Sequence, residues 1–135
     1  MDKIFSKTSI ILAGMLSVIT FFFGDFTKLL ITLIAIIITD YITGVLKAIF
    51  NKSVSSEIGA KGIIKKAFIF CIVAVAHMVQ SVIGTDVPIR DIVICFYLAN
   101  EGISILENSA EFIPIPDKLK DILIQIRKKG DDDNG

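Results

Sequence analysis

The 135-residue chain is short of the side chains on which most enzyme sites are built. It has a single histidine, His77, which leaves no histidine pair for a metal site within one chain. Its two cysteines, Cys71 and Cys95, fall inside apolar blocks. They lack the close spacing of a zinc site and the numbers of a secreted disulfide framework, and they read as free, buried thiols. Net charge is absent too, with 14 Lys plus Arg against 14 Asp plus Glu, so no global basic field is available for nucleic acid. No Gly-rich phosphate loop, HExxH, GxSxG or paired CxxC occurs. The acids lie along helix faces, and Glu101 and Glu107 are too far apart to form an acid/base dyad. The chain is read as a non-enzyme with no cofactor and no metal.

What the sequence has in excess is apolar residues, 53% of the chain against roughly 45–50% in soluble domains. Mean hydropathy is +0.74, and the apolar residues come in blocks of membrane-spanning length. The fold class this predicts is an all-α integral membrane protein, with about four transmembrane helices and a C-terminal amphipathic helix. The spans fall near 8–23, 29–50, 65–84 and 90–110 within a membrane domain of residues 1–112. Block 8–23 is short: it could span, lie in the interface or act as a signal sequence. The phenylalanines of 21–26, where a cleavage site would need small residues, favour an uncleaved first helix. Block 29–50 carries thirteen Leu, Ile, Val or Phe residues, enough to insert despite Asp40. Asp40 must find a partner, either a hydroxyl or amide of a neighbouring helix or the face of His77, Gln80 and Ser81. Asp40, Thr43, Gly44 and Lys47 share a face, and Gly44 with Ala48 lets another backbone come close. Asn51 to Gly62 reads as a loop, followed by Lys65 and Lys66, which snorkel toward headgroups.

The last span is the most polar. Tyr97, Asn100, Glu101, Ser104, Glu107, Asn108 and Glu111 recur at helical spacing and form one stripe, opposite Ile92, Phe96, Ala99, Ile103 and Leu106. Each carboxyl facing lipid near the bilayer centre costs about 2.5–3.5 kcal/mol, so this helix requires protein or water beside it. The prolines of Ile113–Pro116 end it. Residues 113–130 then form an amphipathic helix, with Leu119, Ile122, Leu123 and Ile126 opposite Lys118, Lys120, Asp121, Gln125 and Lys128. It is expected on the membrane surface or paired with its copies, stopped by Gly130 and followed by a disordered acidic tail, 131–135. With four crossings and a cytoplasmic N-terminus, twelve Lys and Arg lie inside and only Lys28 and Arg90 outside, which places the C-terminus in the cytoplasm. Read from the residues alone, a membrane protein with polar stripes is a channel, a small transporter or an oligomeric pore. Candidate pore-lining or assembly residues are Asp40, Thr43, Gly44, His77, Gln80, Tyr97, Asn100, Glu101, Ser104, Glu107 and Asn108.

Two further stretches narrow this. VICFYLANEGISILEN (93–108) with PIPDKLKDIL (114–123) resembles the end of the toxin-secretion/phage-lysis holin family, which includes clostridial toxin-release holins. TDYITGVLKA (39–48) and the pattern Ser55, Ser56, Gly59, Lys61, Gly62, Lys66 resemble its earlier segments. The resemblance covers 29–126. Gln80 stands where many members carry an acid, and Phe112 where many have a glycine. The resemblance implies a homo-oligomer in the bacterial cytoplasmic membrane, opening timed lesions that release endolysin or toxin. Its implied partners are the lipid bilayer, its own copies, that cargo and an antiholin. The rival readings are an ion channel or transporter, and an antiholin.

Overall fold

A computed structural model of the chain describes residues 2–132. Five helices and no strand occur among the described residues: α1 (Asp2–Phe23), α2 (Lys28–Phe50), α3 (Ser56–Ile83), α4 (Ile89–Ser109) and α5 (Asp117–Asp132). The all-α membrane fold expected from the sequence is the one observed.

Local chemistry sets the boundaries. The Thr27 hydroxyl accepts the Leu30 N–H at 3.4 Å and caps α2. Ser55 does the same for α3, accepting the Ile58 N–H at 3.1 Å. That cap begins α3 ahead of the expected span: Ser56 to Gly62, read from its Ser, Gly and charges as loop, is helix. Glu57 and Lys61, 3.2 Å apart on its outer face, add a little support. Gly84 closes α3 in the left-handed region, φ 64°, its N–H donating to Gln80 O at 3.1 Å. After Ile113–Pro116, α5 starts at Asp117 as the prolines predict. It runs through Gly130 to Asp132, so the expected stop and the start of the expected disordered tail are helical. The rest of that tail, 133–135, lies outside the described residues.

Helices α2, α3 and α4 pack around Leu30, Leu33, Ile37, Ile69, Val73 and Ile94, with Phe23, Phe70, Tyr97 and Leu98 at the rim. In lipid, such a core holds through close packing rather than release of water. Helix α1 is different: none of its residues is buried, and only Thr20 and Phe23 are half-buried. It touches the bundle at its last turn, where Phe23 packs edge-on against Phe70, ring centres 6.2 Å apart. Helices α1, α2 and α3 are long and apolar enough to cross a membrane. Of the four expected spans, α4 falls short by composition, because Arg90, Asp91, Glu101 and Glu107 interrupt its apolar residues. It is nevertheless 21 residues long and lies between α2, α3 and α5.

Helix α5 folds back along α4 instead of lying apart on a surface, and Leu123 seats over Gly102. A Cβ at Gly102 would stand 3.2 Å from Leu123 Cδ1, so the glycine permits this approach. Both cysteines are free, as read from their spacing, but Cys71 is on the exterior and Cys95 half-buried, not enclosed in a core.

Candidate functional site

The polar residues meet where α2, α3 and α4 cross. Asp40 and Glu101 are buried, 7% and 4% exposed, and neither would be stable there alone. Lys66 from α3 joins them. Its Nζ donates to Asp40 Oδ2 at 2.6 Å and to Glu101 Oε2 at 2.7 Å. The second oxygen of Asp40 accepts from Asn108 Nδ2 at 3.3 Å, and the same amide reaches Thr43 Oγ1 at 3.2 Å. Thr43 donates its own hydroxyl proton to the Asp40 carbonyl at 2.9 Å. Gly44 lets α4 come near, since a Cβ there would be 3.7 Å from Asn108 Nδ2. No buried side-chain nitrogen or oxygen among the described residues lacks a partner.

One ammonium thus bridges carboxyl groups on two other helices, and removing it would leave two buried acids facing each other. The chemistry of the arrangement is that of a charge-stabilised joint, which fixes three helices in one register.

The stripe on α4 divides between two environments. Glu101 and Asn108 turn inward to the joint. Tyr97, Asn100, Ser104 and Glu107, with Glu101 at its edge, line a groove of about 550 Å³ shared with Lys65, Phe68, Ile72 and Arg127. Glu111 lies beyond both, 3.2 Å from Lys47 Nζ and accepting from Asn51 Nδ2 at 3.3 Å.

His77 and Gln80 do not meet Asp40. They sit at the opposite end of the bundle, where Gln80 Oε1 accepts the Arg90 N–H at 2.9 Å. The His77 ring and the Arg90 guanidinium close around Gly24: a Cβ there would be 2.7 Å from both. With φ at 77°, that turn requires glycine on both counts. Arg90 donates to the carbonyls of Phe23 at 2.9 Å and Asp25 at 3.0 Å, and to Thr27 Oγ1 at 3.3 Å. The attachment of α1 among the described residues is therefore built from α3 and α4.

Sequence reasoning missed two residues, Lys66 and Arg90. Lys66 reads as a snorkelling charge at the edge of an apolar run. A signal was present, because Lys66 stands three, seven and ten residues before Ile69, Val73 and Ala76, all buried, and so shares the inner face of α3. Arg90 was counted only as an outside charge, and its acceptors, the carbonyls of Phe23 and Asp25 and the Thr27 hydroxyl, arise from a turn 63 to 67 residues away.

The profile of the bacteriophage holin family matches residues 17–128. An uncharacterized protein of Listeria innocua is 43% identical over 122 residues, 89% of this chain and 87% of that protein. An uncharacterized protein of Clostridium perfringens is 43% identical over 112 residues, 82% of this chain and 85% of its own. A probable holin of Bacillus phage phi105 is 33% identical over 112 residues, 82% of each chain. No solved structure matches. With the profile spanning the joint, the groove and most of α5, this membrane protein belongs to the bacteriophage holin family.

Proposed function

We propose that the chain acts as a holin: it accumulates in the bacterial cytoplasmic membrane, assembles with its own copies and, at a set density, opens lesions through which an endolysin or a toxin leaves the cytoplasm. The observation that carries this reading is the Lys66 joint within a chain of this family. In a dispersed copy it keeps Asp40, Glu101 and Asn108 away from lipid, so the membrane stays sealed. At high density the same donors and acceptors can be met by groups of a neighbouring copy, and exchange between the two sets costs little because no group loses a partner. Four crossings with both termini in the cytoplasm follow from the lysine and arginine tally, with α4 crossing under cover of its neighbours.

Expression with and without a cognate endolysin, while following turbidity and membrane potential, tests the reading. A holin gives loss of potential in both cultures and collapse of turbidity only where the endolysin is present. An ion-selective channel depolarises cells and leaves the endolysin inside; an antiholin accumulates with neither effect. In the same assay Asn100→Leu and Glu101→Leu are expected to delay or weaken lysis at matched expression. Unchanged timing in both would remove α4 from the mechanism.

A further inference from the structure

Docked against α4, α5 stands at a depth where its charges cannot face lipid. Arg127 shares the polar groove with Phe68 and Ile72, on the apolar stretch of α3, and with Tyr97 and Asn100 of α4. Lys128 and Lys129 come next along the helix and are exposed. Lysines directed at hydrocarbon near that level cost more than one docked side chain repays. The docked position therefore needs water on the far side of α5.

The helix is patterned for that. At 100° per residue, with Leu123 directed at Gly102, the opposite side is Lys118, Asp121, Gln125 and Lys128. Leu119, Ile122 and Ile126 form a separate flank, 45%, 46% and 41% exposed. A back seated on α4, an apolar flank and a charged front are what a helix needs to pack beside a second copy and border an aqueous lumen.

We propose that α5 is the water-facing wall of the assembled lesion: its front of Lys118, Asp121, Gln125 and Lys128 borders the lumen, and the flank of Leu119, Ile122 and Ile126 packs on the neighbouring copy. This rests on the holin reading, and it changes which surface is wet. Of the α4 stripe, Glu101 and Asn108 are engaged within the chain by α2 and α3, and α5 borders the groove that Tyr97, Asn100, Ser104 and Glu107 line.

The test is a reversible tether in the full chain. With Cys71→Ser and Cys95→Ser as parent, Gly102→Cys and Leu123→Cys join α4 to α5 on oxidation. Vesicles of phosphatidylethanolamine and phosphatidylglycerol loaded with fluorescent dextran report release. The expected result is equal release from the oxidised and reduced protein. Release from the reduced form that falls at least tenfold on oxidation would overturn the proposal, because α5 would then have to leave α4 for the lesion to open. Silence of the parent itself would instead be the failure of the holin reading. A second arm needs no tether. In releasing vesicles, a bimane on Ile122→Cys is expected to be shielded from lipids spin-labelled just below the headgroup. Strong quenching there would place α5 on the membrane surface and overturn the wall.

Discussion

Lys66 is the residue on which the interior depends. Breaking a buried ion pair by removing one partner typically costs about 3–5 kcal/mol, because a charge is left without compensation. Lys66→Met keeps the volume and removes the ammonium from both Asp40 and Glu101. A loss of that order is expected, read as a lowered midpoint of unfolding in detergent titrated with dodecyl sulfate. Asp40→Asn should cost less, since Lys66 retains Glu101 at 2.7 Å. Equal stability of Lys66→Met and the parent would show that the carboxyl groups find other partners. At this scale the sequence was half readable. Asp40 and Glu101 announce themselves, since an acid in an apolar run must be matched. The identity of the match was hidden because a lysine has two physical options, snorkelling and pairing, and the choice depends on the rotation of α3 about its axis.

Among the elements, α3 and α5 depart most from their periodicity. Apolar blocks locate the part of a helix that sits in lipid, but a cap decides where the backbone begins to coil. Ser55 adds two turns outside the apolar block of α3 in this way. Ser55→Ala is expected to cost about 0.5–2 kcal/mol, as for other lost N-caps. Hydrogen exchange should locate it: amides of 57–59 lose protection while those around Val73 keep theirs. Uniform loss along α3 would assign Ser55 a role in packing. For α5, period and capping residues were legible, because Pro116 and the Leu119–Ile126 spacing are local signals. Its partner was not. An amphipathic face states that something apolar covers it, and a lipid surface and a small residue on α4 satisfy the same pattern. Gly102 looks in the sequence like any glycine of a polar helix, and its part appears only when Leu123 is laid on it.

For the whole molecule, the count of crossings is the property that hydropathy handles least well. Helices α1, α2 and α3 satisfy it and α4 does not, although α4 is 21 residues long and enclosed by its neighbours. Hydropathy measures each helix as if alone in lipid, whereas α4 shows lipid little of its polar face. The proposed arrangement, with the C-terminus in the cytoplasm, predicts bright fluorescence from green fluorescent protein fused after Gly135 and no activity from alkaline phosphatase at the same place. The converse pattern would mean an odd number of crossings from a cytoplasmic N-terminus.

The one-ended attachment of α1 bears on how freely its sequence can drift. A residue that touches no neighbour is held only to the demand of being apolar, which many side chains meet equally well. Its first four turns are exposed throughout, close to that position, and burial begins at Thr20 and Phe23. The family pattern begins at residue 17, within one turn of where the arm first meets the bundle.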